Sequence, residues 1–187
     1  DLYLVFEYVE GRTLREHLAQ TGALPWPEAL RVLEGICKAL EHAHAHAIVH
    51  RDLKPSNIMV ANGTALVMDF GVARQAKDAL SKAAVTNTVW GTPSYMAPEA
   101  EEGEIRRESD LYSLGVLVYE IVTGQLPFKG SAGAMYKAKS TASYPAPSEL
   151  AKMLPAGIDG IIARALAPDP RLRWKSIEEF WNAVKKL

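Results

Sequence analysis

His50-Arg51-Asp52-Leu53-Lys54-Pro55-Ser56-Asn57, followed 12 positions after Asn57 by Asp69-Phe70-Gly71, is the stretch on which the reading of this chain turns. It sets two carboxylates, an amide and an ammonium between short apolar runs: IVH at 48–50, NIMV at 57–60 and ALVMDFGV at 65–72. Runs of that length read as short strands, and the polar residues between them read as loops, where chemistry is usually carried. Phosphoryl transfer needs these parts: a carboxylate near the incoming hydroxyl, oxygen ligands for Mg²⁺, and a cation on the developing charge. An Asp beside a His is by itself most simply a capped turn, so the weight lies on the whole constellation.

Upstream, residues 2–9 (LYLVFEYV) are apolar without breakers before Gly11, as in a buried strand leaving into a turn. Thr13 to Gln20 reads as a short helix closed by Gly22. From Trp26, apolar side chains at Ala29, Leu30, Leu33, Ile36, Cys37, Leu40 and His44 follow the spacing of one helical face, with Pro27 suited to its first turn. Downstream, residues 73–94 show no periodicity and read as a long loop. Asp110 to Thr123 is apolar on nearly every side, which predicts a helix buried all round, with Asp110 at its start favoured by the helix dipole. Gly124, Pro127 and Gly130 end it. Amphipathic helices are predicted near 131–140, 158–167 and 176–186.

Composition removes several function classes. The 187 residues carry 21 Lys plus Arg against 22 Asp plus Glu, a net charge of -1, with no block of five like charges. That argues against a nucleic-acid footprint or a basic membrane anchor. No apolar run approaches the roughly 18 residues of a membrane span. The single cysteine, Cys37, forms no internal disulfide and reads as a small core residue; a reducing cytosol fits it best. His42 and His46 share a helical face at a spacing that suits zinc, but no neighbouring ligands complete a site, so they read as a polar helix end. The run Glu101, Glu102 and Glu104 reads as a solvated loop, and Trp90, Trp174 and Trp181 as core or groove anchors.

HRDLKPSN, DFG and Ala97-Pro98-Glu99 stand in the order and spacing of the protein-kinase signature. Joined by GTPSYMAPE (91–99) and SDLYSLGVLVYEIVTGQLPF (109–128), they make the chain resemble eukaryotic-type serine/threonine protein kinases, with a texture similar to the bacterial members. The resemblance covers residues 1–187 and corresponds to the hinge strand and the C-terminal catalytic lobe. It implies a mainly α, kinase-like large lobe with a few short β-strands around the catalytic loop. It further implies ATP and Mg²⁺ as cofactors, protein substrates, and transfer of the γ-phosphate to serine or threonine hydroxyls.

Carried over by position, Asp52 would orient the substrate hydroxyl and accept its proton, and Lys54 would touch the transferring phosphate. Asn57 and Asp69 would ligate Mg²⁺. Glu7 and Val9 match the hinge that meets adenine through its backbone, Phe6 the gatekeeper, and Met59 the residue beneath the ring. Thr92 matches the threonine that bonds the catalytic Asp and Lys and helps form the substrate pocket. His50 and Phe70 match packing positions, and Glu99 with Arg173 an ion pair fastening the activation segment, residues 69–99. Arg51 matches kinases in which that arginine holds a phosphorylated loop residue; Thr86 and Thr88 are the candidate phosphosites, ahead of Ser81.

The departures from the family matter equally. No two glycines stand two residues apart, so the phosphate-covering GxGxxG loop is absent from these residues, as are the strand lysine and its helix glutamate. The expectation is a lobe excised from a whole kinase, inactive alone and partnered by an N-terminal lobe. Its expected setting is the cytoplasm, in a soluble protein or in the cytosolic domain of a membrane-anchored one. The alternatives are a pseudokinase or docking lobe, separated by the sequence upstream, and more weakly a small-molecule kinase, against which GTPSYMAPE argues.

Overall fold

The computed structural model describes residues 8–61, 63–70 and 92–187. β1 (Arg12–Thr13) passes directly into α1 (Leu14–Thr21). Thr13 starts that helix by a reciprocal exchange: its Oγ1 accepts from the Glu16 N–H at 3.2 Å, and its own N–H donates to Glu16 Oε2 at 2.9 Å. This capping box satisfies two amides that the first turn leaves without partners. The same bonds to Thr13 hold the Glu16 carboxyl below its ordinary pKa. Gly22 closes the helix, donating to the Leu18 carbonyl at 2.8 Å.

α2 (Trp26–Ala45) buries Ala29, Val32, Leu33, Ile36, Cys37, Leu40, Ala43 and His44, one continuous stripe at three- and four-residue spacing. Burial pushes the Cys37 thiol pKa far up, so it is an inert core group. The helix lies against β3 (Thr64–Val67), which with β2 (Ile58–Ala61) and β1 forms a three-stranded antiparallel sheet in the order β1-β2-β3. Ile58 pairs with Val67 and Ala61 with Thr64, while Met59 pairs with Thr13 on the other side. α2 approaches β3 so closely that a Cβ on Gly35 would stand 2.5 Å from the Ala65 carbonyl oxygen.

After a 3₁₀ turn at Pro93–Tyr95 come α3 (Pro98–Glu101) and α4 (Arg107–Thr123). Thirteen of the 17 residues of α4 are buried, so it is the central rod about which the others pack. α5 (Ala132–Ser140), α6 (Pro147–Leu150), α7 (Ile158–Ala165) and α8 (Ile177–Val184) complete the fold. Gly115 lets α7 lie directly on α4, since a Cβ there would stand 2.7 Å from the Ala165 methyl. Among the described residues, no helix is long and apolar enough to cross a membrane.

The mainly α architecture agrees with the sequence reading, and three local expectations are corrected. α4 begins at Arg107, three residues before the predicted start, so Asp110 sits inside the first turns and bonds to other segments. Residues 48–50 are not a strand: Ala47, at φ 58°, turns the chain out of α2 into an irregular segment. Glu101 is not free in solvent, because it pairs with Lys139 of α5, while Glu102, which accepts the Tyr136 hydroxyl, and Glu104 are exposed as the sequence reading has them. Residues 2–7 of the expected first strand, with Phe6 and Glu7, lie outside the described residues. So does most of the expected loop, with Ser81, Thr86, Thr88 and Trp90.

The expected ion pair is present and fastens α3 to the lobe. Arg173, fully buried, donates through Nη1 to Glu99 Oε1 at 2.7 Å and through Nη2 to Glu99 Oε2 at 2.8 Å. Its remaining donors reach the carbonyls of Ala167, Glu108 and Pro168, so all five N–H groups of the guanidinium are used. Ser109 Oγ adds a bond to Glu99 at 2.8 Å. Burial acts to raise the Glu99 pKa, but the bonds to Arg173, its charge and Ser109 outweigh it and leave the carboxyl below its ordinary value.

Arg173→Met strands a buried carboxylate and is expected to cost about 3–5 kcal/mol in a urea titration. A depressed folded pKa means that the pair's contribution is intact above the ordinary carboxylate range and is lost as pH falls through the depressed value. Urea midpoints of the wild type should therefore drop below about pH 4, and those of Glu99→Gln should be flatter there. Two glycines should respond with opposite signs. Gly35→Ala gains about 1 kcal/mol of helix propensity but must displace the Ala65 backbone, an overpacking cost of about 1–3 kcal/mol, and should lower the melting temperature. Gly160→Ala, with nothing within 4 Å of the new methyl, should raise it.

Candidate active site

The segment that bears Asp52 is held from beneath by one carboxylate. Asp110 of α4, 1% exposed, accepts the His50 N–H at 2.9 Å through Oδ2 and the Arg51 N–H at 3.0 Å through Oδ1. His44 Nε2 of α2 lies 2.7 Å from the same Oδ2. These bonds support an unusual backbone, since Arg51 sits at φ 75°, a region a residue with a side chain rarely adopts. The strain sits one residue before Asp52. Holding two successive amides is what a functional loop in a sparsely populated conformation requires.

His50 is fully buried and points inward. Its Nδ1 accepts the Asp52 N–H at 3.3 Å, which leaves Nε2 to donate to the Met68 carbonyl at 2.9 Å, and its ring packs on Phe70 at 4.8 Å between centroids. Burial lowers its pKa despite the nearby carboxylates, so it is a neutral packing group joining the two site segments. This agrees with the role expected from the sequence.

Asp52, Lys54, Asn57 and Thr92 are brought into one hydrogen-bonded group. Lys54 Nζ lies 2.6 Å from Asp52 Oδ2 and donates to Thr92 Oγ1 at 3.0 Å. Asn57 Nδ2 donates to the Asp52 carbonyl at 2.8 Å and to Asp52 Oδ2 at 3.2 Å. Oδ2 is thus committed to internal partners, and among the described residues Oδ1 has no hydrogen-bond partner. The expected bond of Thr92 is found to Lys54.

Asp69 reaches this group through the hairpin. Ile58 pairs with Val67 and the Met68 N–H donates to the Asn57 carbonyl at 2.8 Å, so Asn57 and Asp69 emerge side by side at one end of β2 and β3. Asp69 is exposed and sits at φ 56°, the second strained non-glycine residue here. With Nδ2 of Asn57 bound to Asp52, its Oδ1 remains as a neutral oxygen donor, and Asp69, one residue beyond the Met68–Asn57 backbone bond, supplies a carboxylate. Two hard oxygen donors fit Mg²⁺, which keeps its other positions for water and phosphate. No cluster of three or more His, Cys, Asp or Glu ligands occurs among the described residues, and the rings of His42 and His46 stack on each other at 4.5 Å.

Of the expected adenine contacts, Met59 lies half-buried in β2 and Val9 is partly exposed just ahead of β1. Glu7 lies outside the described residues. Sequence reasoning missed Lys139, whose ammonium is sequestered among the carbonyls of Pro93 and Met96 and the carboxylate of Glu101. It also missed the pairing of His44 with Asp110. A lysine in an amphipathic helix carries no sequence signal of burial; the one available hint was His44 on an apolar stripe.

Residues 1–183 match the family described as the protein kinase domain. The serine/threonine-protein kinase PrkC of Bacillus subtilis is 38% identical over 188 residues, which span 98% of this chain and 28% of that protein. The serine/threonine-protein kinase PknB of Mycobacterium tuberculosis is 37% identical over 180 residues, 95% of this chain and 29% of its own length. Among solved structures, Rad53 1-466 in complex with AMP-PNP superposes with a TM-score of 0.76 at 29% identity, covering 94% of this chain and 44% of that one. The chain therefore spans under a third of the length of these two curated relatives. The site geometry and the match over nearly the whole chain lead to one conclusion: this chain belongs to the protein kinase family.

Proposed function

We propose that this chain is the catalytic lobe of a serine/threonine protein kinase, moving the γ-phosphate of ATP to hydroxyls of protein substrates. The observation that carries the proposal is the hydrogen-bonded group of Asp52, Lys54, Asn57 and Thr92 with Asp69 alongside. Free Oδ1 of Asp52 accepts the hydrogen bond of the incoming hydroxyl and, as the bond to phosphorus forms, takes its proton. Lys54, already between Asp52 and Thr92, places its charge where negative charge gathers on the transferring group. Asn57 and Asp69 would hold Mg²⁺, which when bound neutralises the phosphate oxygens. Adenine would rest on Met59 with the backbone of Glu7 and Val9 at its edge.

Names of the relatives and the LKP sequence that follows Asp52 support serine/threonine specificity. The glycine-rich loop, strand lysine and helix glutamate belong, on this reading, to an N-terminal lobe acting as partner. Regulation would run through phosphorylation of Thr86 or Thr88 in the activation segment, with Arg51 as the receiving cation. ATP dependence and a chain with one unpaired cysteine support a cytoplasmic setting.

In the whole kinase, Asp52→Asn should lower kcat by at least about a hundredfold while nucleotide affinity holds, the pattern of a group acting only in the transition state. Asp69→Ala should instead weaken nucleotide binding in the presence of Mg²⁺, measured by calorimetric titration. Unchanged turnover in the first, or unchanged Mg²⁺ dependence in the second, overturns the assigned role. If the intact protein labels neither itself nor a generic protein with phosphate, the lobe is a docking module.

A further inference from the structure

Lys139 is fully buried, which is rare for a lysine and costly unless every proton of the ammonium is satisfied. Here all three are: Nζ donates to the Pro93 carbonyl, to the Met96 carbonyl at 2.8 Å and to Glu101 Oε1 at 2.5 Å. Replacing such a buried pair by apolar groups of similar volume is often neutral or stabilising, so stability alone does not account for it. Its acceptors are informative. Two are main-chain carbonyls at the two ends of the turn that begins immediately after Thr92.

That turn is gripped from two sides. From α4, Ser113 Oγ donates to the Tyr95 carbonyl at 2.8 Å and Glu120 accepts the Tyr95 hydroxyl at 2.5 Å. From α5, Lys139 takes the carbonyls of Pro93 and Met96, and Met135, one helical turn earlier, accepts a weak bond from Ser94 Oγ at 3.9 Å. Glu101 of α3 balances the charge. Two helices thus fix the course of residues 93–96, and Thr92, whose hydroxyl receives Lys54, is the next residue upstream.

We propose that Lys139 is a positioning residue for the protein substrate: by clamping both ends of the 93–96 turn it sets the wall beside Thr92 against which the segment bearing the acceptor hydroxyl lies. The inference rests on the kinase reading above and adds a determinant of substrate affinity remote from ATP. Lys139 touches neither reacting group. Its effect is therefore expected on the protein substrate and not on the nucleotide.

The test uses the whole kinase with dephosphorylated casein and ATP titrated separately, and thermal unfolding recorded alongside. Lys139→Met keeps the length of the side chain and removes the charge. It should raise the KM for casein roughly tenfold, with the KM for ATP and kcat within about twofold, because misplacement of a docking wall weakens binding of one substrate only. Glu101→Gln keeps the shape and removes the balancing charge, and should move the casein KM in the same direction by about threefold. It decides the matter if Lys139→Met does not fold. A casein KM unchanged in the folded variants, whatever their melting temperatures, assigns Lys139 to structure alone and overturns the proposal. A wild-type kinase that labels no protein overturns the kinase reading and this assignment with it; an active wild type with a flat casein KM overturns the assignment alone.

Discussion

A carboxylate buried in an apolar helix is among the more expensive groups a protein can hold, and in this fold Asp110 is that group. Its cost is offset by the amides of His50 and Arg51 and by the ring of His44. The three donors come from α2 and from the segment that follows it, so a single side chain ties the central rod to both. Without it Arg51 has no reason to remain at positive φ, and Asp52 has no fixed position. The helix-dipole effect, worth roughly 0.3–1 kcal/mol at a helix end, is secondary to these charge-assisted bonds.

The remaining site groups are placed relative to that anchor by rigid elements. His50 carries the constraint to Met68 and Phe70, the β2–β3 hairpin carries it from Asn57 to Asp69, and Lys54 carries it to Thr92. Beyond Thr92, the chain is fixed by two buried cations with their acids: Lys139 with Glu101, and Arg173 with Glu99. Arg173 uses a planar fork to make five hydrogen bonds across α3, α4 and the 167–168 turn, as expected where several directions must be fixed at once. Lys139 is a point charge that gathers three oxygens. Both convert backbone carbonyls, which attract no notice in a sequence, into fixed acceptors.

Much of this was legible in the residues. The stripe of α2, the closure of α1 at Gly22, the all-round apolar character of α4 and the stop at Gly124 are local patterns with local causes. The site residues Asp52, Lys54, Asn57, Asp69 and Thr92 were legible as a set because their chemistry is unusual in combination. The start of α4 was misplaced because Arg107, Glu108 and Ser109 are polar, and Ser109 turns inward only in the presence of Glu99, while Arg173 takes the Glu108 carbonyl. Glu101 was read as solvated with its acidic neighbours because its partner, Lys139, stands 38 residues away in the sequence.

The sequence by itself determined the kinase family and which helices would form, and it picked out the residues proposed for phosphoryl transfer, because all three depend on side-chain type at short spacing. Only the tertiary structure decided where the charges go. Asp110 meets His50 across 60 residues and Glu99 meets Arg173 across 74, and each pairing depends on packing that brings distant segments within 3 Å while excluding water. A charged residue looks the same in a sequence whether it is solvated or buried. Its partner is chosen by the fold, through the cost of leaving it unpaired.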